Sequence, residues 1–600
     1  VTACSLGPVL WGHLDFPHQL QLRGVITRAL HDVEVIVRKS TATVLHEIAE
    51  LVFDPRAVPW LVLMCERAMT DPEPQLRAAA MTLTWHLAEH LPNAFYGDAS
   101  KGSRSLRRLP PRSDPTFAEV YLLQCKLLPV ATRLGEDRAP SVRLAVAAQC
   151  DRLANALGEH WYSVIIDLLL ALLVDADERV RSEATLCVPR LVESVLLGTT
   201  NEGAPNSVTV LESLLPVAIK LIKDSSTTVR VSLATASGEL LTLLVGLQSL
   251  EALSSQVDGI VENPNTSRFV RHKRHIDDTL IPLVQRLLHD KDPEVTSSAL
   301  RAVTNASRGN VREISSRQQR QRKLSAETNT IIDDDTVSLS SLHSVERRDP
   351  VFIPVLSEQQ VLRLLPTLSD LANSPQWRVR QSAVEIVPAL LGCTHRLETR
   401  SEIAQLCIKL MGDAVDAVRR TAAECLCLGG GSLGGHGNGE DGEWVTAIVI
   451  PHLLACTNSA SCKQRLLSLK MVEVLLTNGV FPLETSGKLL GSNTSLLASS
   501  SLDVTDSSLS SNPLREILEI AGSLSLDRIV NVRLNVGRVL GNVITMLEEE
   551  ELMYVVQVLE NQVNFESEQE GGGDRDVIYF AKKTLAIAQE RLEEPGLSSI

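Results

Sequence analysis

Apolar residues recur at three- and four-residue spacing along much of the chain, and short polar turns interrupt them. Residues 116–135 and 141–157 show the pattern, which is typical of amphipathic helices. The turn between them contains Pro140, a residue suited to the first turn of a helix. The pattern therefore predicts antiparallel pairs of helices. Neither helix of a pair can bury its apolar face alone, so each pair needs neighbours.

The turns carry a repeated pair of charged residues. In seven places an aspartate is followed six residues later by an arginine that has Val or Leu directly before it. Where no insert intervenes these arginines lie 38 or 39 residues apart, and a period near forty indicates a stack of helical hairpins. We predict a ladder in which each arginine bonds an aspartate of the adjoining turn. The alternative is that both are solvated turn residues. The pairs are Asp32/Arg38, Asp71/Arg77, Asp137/Arg143, Asp175/Arg181, Asp224/Arg230, Asp413/Arg419 and Asp527/Arg533.

Turns of this kind divide the chain into eleven repeats, three of which depart from the pattern. Thr296 and Ile578 replace the basic residue, and no aspartate precedes Arg465. Polar segments between repeats have compositions that cannot bury a core; they are residues 96–115, 246–276, 303–350, 429–442 and 484–512. We expect N-terminal repeats over 20–302, a disordered insert over 303–356 and C-terminal repeats over 357–590.

Composition narrows the possible functions. Aromatic residues make up only 3% of the chain, so the core must be aliphatic, as in packed helices. The net charge of −15 argues against a nucleic-acid partner. No stretch of eighteen apolar residues occurs, which predicts no membrane span. The eleven cysteines, Cys125 among them, lie mostly in apolar helical stretches and indicate buried thiols in a reducing compartment.

No group of residues in the sequence predicts catalysis or the binding of a metal or cofactor. Cys425 and Cys427, with Cys456 and Cys462, fit no standard zinc spacing, so we expect no metal and no cofactor. Phosphate-loop, metalloprotease, nucleophile-elbow and dinucleotide motifs are missing from any supporting context, so we expect no enzyme activity. The cluster His272–His275 is expected in a solvated loop. The basic run 317–325 before Ser325 suits a kinase site or an import signal, with a solvated linker as the alternative.

The last 240 residues resemble a known family. The segment WRVRQSAVEIVPALL from Trp377 resembles the tryptophan-bearing turn and helix of the protein phosphatase 2A scaffold subunits, a HEAT-repeat family. Segments 443–455, 465–475 and 531–540 follow in the family's order, and residues 576–588 resemble its final helix. The resemblance implies an all-α HEAT-repeat α-solenoid, a curved stack of about eleven antiparallel helix pairs with disordered inserts. These pairs would correspond to the last eleven of the family's fifteen repeats.

The same resemblance implies a site. The family holds a catalytic phosphatase subunit on its C-terminal repeats and interchangeable B-type regulatory subunits on its N-terminal ones. An exposed tryptophan beside an arginine is typical of an interface hot spot, whereas the alternative is that Trp377 packs back onto its own helix pair. Two of the turns, those of Asp416 and Gln464, depart from the family's residues. By resemblance the partner-binding residues would be Trp377, Arg378, Asp416, Gln464, Val530 and Asp576.

The sequence thus predicts a non-catalytic scaffold of a serine/threonine phosphatase of the 2A type, in the cytoplasm with the nucleus as a second location. It would join catalytic and regulatory subunits and bind neither nucleic acid nor membrane. The long inserts also resemble protein phosphatase 4 regulatory subunit 1, a related HEAT-repeat protein. A HEAT-type transport receptor or adaptor, which is also acidic, is the alternative from another class.

Overall fold

The computed structural model describes residues 6–51, 56–96, 117–157, 162–197, 207–258, 268–308, 356–394, 396–429, 444–478, 513–569 and 573–593. The chain divides into two compact units, unit 1 (Val1–Glu346) and unit 2 (Arg347–Ile600). Every regular element in the described ranges is helical. The predicted inserts, including Ser325 and the basic run 317–325, fall mostly outside these ranges.

Unit 1 is a succession of helical hairpins. Two short π-helical turns, Leu123–Leu127 and Ile276–Leu280, and a 3₁₀ turn, Ile219–Lys223, interrupt its first helices. Its α-helices are α1 Gly7–Trp11, α2 Phe16–Leu30, α3 Val35–Glu50, α4 Val58–Met69, α5 Pro74–Tyr96, α6 Phe117–Leu122, α7 Leu128–Gly135, α8 Pro140–Ala147, α9 Cys150–Leu157, α10 Tyr162–Leu173, α11 Glu178–Leu197, α12 Ser207–Ala218, α13 Thr227–Asp258, α14 Arg268–His275, α15 Ile281–Leu288 and α16 Pro293–Arg308.

Unit 2 repeats the same arrangement. A π-helical turn, Val445–Val449, and a 3₁₀ turn, Ile544–Met546, accompany its α-helices. The α-helices are α17 Glu358–Leu371, α18 Trp377–Glu385, α19 Val387–Leu391, α20 Leu397–Leu410, α21 Asp416–Leu428, α22 Ile450–Thr457, α23 Cys462–Thr477, α24 Pro513–Ser523, α25 Val530–Val543, α26 Glu549–Ser567 and α27 Arg575–Glu593.

Proline explains why several first helices contain a π-helical turn. Pro129, Pro282 and Pro451 each follow such a turn directly, at the start of α7, α15 and α22. Proline has no N–H to donate to the carbonyl four residues earlier, and its ring crowds that carbonyl. The preceding turn therefore widens to the i→i+5 pattern. The helix predicted over 116–135 is therefore helical from Phe117 to Gly135, with the π-helical turn Leu123–Leu127 inside it.

The second helices of successive hairpins pack side by side within each unit. In unit 1 the order is α3, α5, α8, α11, α13 and α16, and in unit 2 it is α18, α21, α23, α25 and α27. Small residues allow close approach: a Cβ on Gly238 of α13 would lie 2.3 Å from the Cβ of Ala302 on α16. The N-terminal turns of these helices therefore line one edge of each unit, which we call the turn edge.

The core between the helices is aliphatic, as the composition predicts. Leu45 and Ile48 of α3, Leu211 of α12 and Leu475 of α23 are completely buried. Burying such a side chain contributes about 1.5–3 kcal/mol each. Helix α13 also meets the length and hydropathy expected of a membrane span over Thr227–Gly246, although 72% of that window is buried inside the protein. Because α11 and α16 flank it, this stretch serves as a core helix of unit 1.

Three sequence-based expectations need correction. Helix α16 continues to Arg308, six residues into the segment predicted as an insert from 303, because Val303 and Ala306 are fully buried. The cluster His272–His275 lies at the end of α14 rather than in a solvated loop, and the His272 ring is buried with Nε2 2.8 Å from Ser207 Oγ. Cys125 is exposed, in contrast to the buried Cys150, Cys187 and Cys407.

Candidate partner-binding turns

The turns that carry an aspartate–arginine pair share the same internal hydrogen bonds. The Asp413 carboxylate accepts from the backbone N–H of Val415 at 2.8 Å, and Arg419 Nη1 donates to the Asp413 carbonyl oxygen at 2.7 Å. The same pair of bonds recurs at Asp71/Arg77 and Asp224/Arg230. The aspartate thus closes a local turn and the arginine fastens it. This explains why the two residues are six positions apart.

The arginines also connect consecutive turns. Arg38 Nε and Nη2 both donate to the Asp71 carboxylate, at 3.0 and 3.3 Å. We call such a bidentate bond between one turn and the next a rung. Further rungs in unit 1 join Arg77 to Asp137, Arg143 to Asp175, Arg181 to Asp224 and Arg230 to Asp290. In unit 2, bonds of this kind join Arg380 to Asp413, Arg465 to Asp527 and, through Nε alone, Arg533 to Glu566.

The rungs lie mostly out of water and hold the carboxyl groups ionised. The bond from Arg77 lowers the pKa of Asp137, and the bond from Arg380 lowers the pKa of Asp413. The arginine side chains of these two rungs are 7% and 14% exposed. Bidentate arginine–carboxylate bonds in such surroundings fix geometry as well as charge. The ladder therefore sets the register of neighbouring second helices.

One predicted pair departs from this scheme. Arg419 Nη2 donates to Asp416 of its own turn at 2.7 Å. The next turn has Ser459 where other turns have aspartate, and its hydroxyl accepts only the local bond from the Ser461 N–H, at 3.2 Å. Gln464 connects these turns instead, since its Nε2 donates to the Met411 carbonyl oxygen at 3.1 Å.

The predicted binding residues Trp377 and Arg378 lie together at the start of α18. The Trp377 side chain is 39% exposed, and the Arg378 guanidinium carbon lies 5.4 Å from the centre of its ring. A cation near an aromatic face is attracted by the ring, which contributes about 0.5–1 kcal/mol at an exposed site. The Trp377 ring therefore remains available at the turn edge of unit 2 instead of being buried in its own hairpin.

The side chains of Asp416 and Gln464 differ in exposure and in their bonding on the turn edge. Asp416 is exposed and receives Arg419 and Arg420, each at 2.7 Å, so its charge is already neutralised by its own helix. Gln464 is half-buried, and besides its bond to Met411 it accepts from Cys456 Sγ at 3.2 Å. Gln464 thus contributes to the contact between turns, which leaves its amide little freedom to meet a partner.

Val530 and Asp576 are both exposed, at the starts of α25 and α27. Val530 belongs to an apolar group that the sequence reasoning did not single out, because Leu526 and Ile529 are also exposed in the same turn. Arg528 beside them donates to the Ala460 carbonyl oxygen at 3.3 Å and so crosses to the neighbouring turn. The available signal was three apolar residues close together in one turn, an arrangement that also occurs at Val33, Val35 and Ile36 around the start of α3.

A second polar cluster lies in unit 1, away from these turns. His86, Glu89 and His90 of α5 place one potential ligand atom each within 4.8 Å of one another. His86 Nδ1 also lies 3.2 Å from Glu50 Oε1 of α3. Burial lowers the pKa of His86 to about 4, and the charges of His46, His90 and Arg152 act in the same direction. The His86 ring is therefore neutral at pH 7, and its contact with Glu50 is not an ion pair.

The cysteines predicted as core thiols are mostly buried. Cys425, Cys427 and Cys456 are buried and Cys462 is half-buried. Burial raises the pKa of the Cys456 thiol to about 11 and that of Cys427 further. Such thiols stay protonated at neutral pH and are poor nucleophiles or metal ligands.

The hairpins, their turns and the comparison with solved structures define an all-α HEAT-repeat α-solenoid, and the prediction of this fold class is confirmed. A crystal structure of importin β matches over 97% of this chain and 59% of that chain, with a TM-score of 0.52 and 12% identity. The Kap95:Nup1 complex matches over 98% and 58%, with a TM-score of 0.53 and 12% identity. The chain thus spans about three fifths of these relatives' length. No family model and no curated protein matches the sequence.

At this identity the comparison establishes the fold and leaves the partner open. The matched structures are importin β and a Kap95:Nup1 complex, and at 12% identity they assign no role to this chain. They indicate no catalytic family. The HEAT-repeat part of the sequence-based resemblance therefore stands, whereas its narrower assignment to phosphatase scaffolds remains a prediction.

Proposed function

We propose that the chain is a non-catalytic protein-binding scaffold that holds a serine/threonine phosphatase catalytic subunit on the turn edge of unit 2. The observation that carries the proposal is Trp377, exposed beside Arg378 in the turn that resembles the 2A scaffold family. Tryptophan and arginine dominate interface hot spots, because they combine large contact area with directed bonding.

A second contact lies further along the same edge. Leu526, Ile529 and Val530 expose 49%, 38% and 40% of their surface in one turn. Between this apolar turn and Trp377 lie the turns of Asp416 and Ser461–Gln464, which are polar and internally bonded. A partner that contacts both turns would bury their apolar side chains, and the buried core of an interface is the part most depleted of charged residues.

The ladder supplies the mechanism. Rungs fix the spacing of successive turns, so that residues presented by separate hairpins keep their relative positions. B-type regulatory subunits would bind unit 1, as the resemblance implies. Joining catalytic and regulatory subunits on one chain raises their effective concentration and restricts which substrates reach the active site. Phosphatase chemistry would belong entirely to the bound subunit.

Direct binding tests the proposal. The purified full chain is titrated with 2A-type and with 4-type catalytic subunits by biolayer interferometry. We expect one of them to bind, and the double variant Trp377→Ala/Arg378→Ala to weaken that binding by roughly 30-fold or more, as for a hot spot worth about 2 kcal/mol. The matched control is Val33→Ala/Ile36→Ala, which removes two exposed apolar side chains from a turn of unit 1. Equal affinity in the Trp377 variant and the control would contradict the assigned site.

The second candidate is a transport receptor or adaptor, which the likeness to importin β and Kap95 favours. One of those structures is a complex with Nup1, and the same titration is therefore run with Nup1. Binding of Nup1, with neither catalytic subunit bound by a chain shown to be helical, would replace the phosphatase proposal with the transport one.

A further inference from the structure

We propose that His86, Glu89 and His90 of α5, with Glu50 of α3, form a binding site for a divalent transition-metal ion of the zinc class, which fastens α3 to α5 in unit 1. This site is independent of the turn edge and of the partner proposed above.

Helical spacing places the donors together. Positions 86, 89 and 90 are three and four residues apart, so their side chains lie on one face of α5. His46 and Glu50 have the same four-residue spacing on α3, which packs directly against α5. The two faces meet at His46 and His86, whose rings stack with their centres 5.3 Å apart and their planes inclined by 22°.

The distances suit a small tetrahedral ion. Zinc binds imidazole nitrogen and carboxylate oxygen at about 2.0–2.2 Å, which places neighbouring ligand atoms about 3.3–3.5 Å apart. His86 Nδ1 and Glu50 Oε1 are 3.2 Å apart, and the three donors of α5 lie within 4.8 Å of one another. Glu89 is exposed and His90 half-exposed. We expect a change of rotamer at these two side chains to bring their donors to the ion.

The ring of His86 supplies an independent sign of a missing ligand. Only 8% of this residue is exposed, and its Nδ1 makes no hydrogen bond despite the nearby Glu50 oxygen. Buried polar atoms are ordinarily satisfied, and one that is not calls for an ion, a water or a partner. A metal between Nδ1 and Oε1 would use the lone pairs of both atoms at the distance that the structure already has.

The surroundings hold the donors in place. Trp85 stacks on the His86 ring, and its Nε1 donates to Gln149 Oε1 at 2.8 Å, which ties this part of α5 to the next hairpin. The Arg152 guanidinium carbon lies 5.3 Å from the centre of the Trp85 ring. Two imidazoles and carboxylates favour zinc, nickel or copper over magnesium or calcium, which prefer oxygen alone.

Metal titration of the full chain tests the inference. Protein stripped with a chelator is titrated calorimetrically with Zn²⁺, and with Co²⁺ under absorption spectroscopy. We expect one ion per chain, a cobalt spectrum of nitrogen and oxygen ligands without a thiolate charge-transfer band, and a rise in the thermal unfolding midpoint on zinc addition. His90→Ala and Glu89→Gln should each weaken binding at least 10-fold, the range seen when groups supporting a metal are removed.

The matched control is His289→Ala, which removes an exposed histidine from unit 1 outside the cluster and should leave zinc binding unchanged. His90 and Glu89 are not core residues, so circular dichroism should show both variants folded. Three results would overturn the site: no binding of one ion per chain, equal binding in His90→Ala and His289→Ala, or a thiolate band that assigns the ion to cysteines.

Discussion

Unit 1 and unit 2 carry the same turns but connect them differently. In the described part of unit 1 the arginine of each aspartate–arginine pair, from Arg38 to Arg230, reaches an aspartate of the following turn. In unit 2 the series is interrupted after Arg380, because Arg419 bonds Asp416 of its own turn. The cause is one residue, since Ser459 occupies the position of the acceptor. We therefore expect Ser459 to be the reason why these two neighbouring hairpins are not joined by a buried ion pair.

The interruption coincides with the polar middle of the proposed binding edge. Asp416 lies in the turn where the ladder stops, and Gln464 in the turn that replaces the rung with a neutral hydrogen bond. Neutral bonds contribute about half as much as charge-assisted ones. Unit 2 thus has a weaker connection between the turns that carry its two apolar contacts. This step between hairpins is where we expect unit 2 to adapt its turn spacing to a partner.

The largest expected effect comes from breaking a rung of unit 1. Arg77→Met removes the bidentate bond to Asp137, whose side chain is 11% exposed. It leaves a buried carboxylate without its cation, which should lower the free energy of unfolding by about 3–5 kcal/mol. Urea unfolding followed by circular dichroism measures the change.

Arg179→Met is the matched control for this prediction. Arg179 pairs with Asp177 of the same turn, but its side chain is 67% exposed. Exposed pairs contribute at most about 1 kcal/mol, since water screens both charges. If the two variants lose the same stability, the rungs act as surface ion pairs and the contrast between the units has no energetic basis.

Acid should weaken the ladder of unit 1 more than that of unit 2. The pKa is lowered for Asp137, Asp175 and Asp224 in unit 1, and for Asp413 and Asp527 in unit 2. A carboxyl group with a lowered pKa in the folded protein contributes stability above its unfolded pKa, near 3.8, and loses it as the pH falls through the folded value. We therefore expect stability to be retained from pH 7 to about 5 and to fall progressively below about 4.

Thermal unfolding at pH 7, 4 and 3 measures this dependence, and Asp137→Asn isolates one rung. The variant should be less stable at pH 7 and lose less on acidification, because it no longer has that carboxylate to protonate. Parallel curves for the variant and the original chain would show that the rung is not the titrating element.

Much of this comparison could be predicted from the sequence. The six-residue spacing of aspartate and arginine comes from one turn geometry, repeated wherever the two residues occur, so the pattern itself encodes the hydrogen bonds. The aliphatic helical core also follows from local composition. The π-helical turns before Pro129, Pro282 and Pro451 do not, because Pro216 and Pro366 lie inside first helices that have no such turn. The exposure of Trp377 agrees with its place in a turn.

Other features depend on tertiary contacts that the spacing does not specify. Arg533 donates to Glu566, which lies near the end of α26 and is not part of the aspartate–arginine spacing. Gly573, at a φ of 62°, turns the chain so that Glu566 also accepts the Asp574 N–H. Gln464 looked like a surface residue, yet it crosses to Met411. The cluster around His86 requires α3 and α5 to lie side by side, and its donors Glu50 and His86 are 36 residues apart in sequence.

The smallest expected effect comes from completing the ladder of unit 2. Ser459→Asp places an acceptor in the position that the other turns use, which should draw Arg419 away from Asp416 and join the two turns. The gain should be about 1 kcal/mol, since the new pair is partly offset by the loss of the Asp416 bond, which Arg420 alone would then retain. Thermal unfolding measures it.

Ser374→Asp is the control that distinguishes the effect of a new rung from the effect of a stronger local turn bond. Ser374 also closes a turn through its hydroxyl, which accepts the Gln376 N–H at 3.3 Å, but in the described part of unit 2 no arginine turn precedes it. It can therefore gain only the local bond. If Ser374→Asp stabilises the chain as much as Ser459→Asp does, the gain in stability comes from the local turn bond and not from a rung. If Ser459→Asp alone stabilises, and Arg419→Met abolishes that gain in a double-mutant cycle, then the serine in unit 2 is what interrupts the ladder. In that case the Ser459→Asp chain also tests whether the proposed partner needs the weaker connection between the turns of Arg419 and Ser459. If it does, the affinity of this variant for the catalytic subunit should fall while its stability rises.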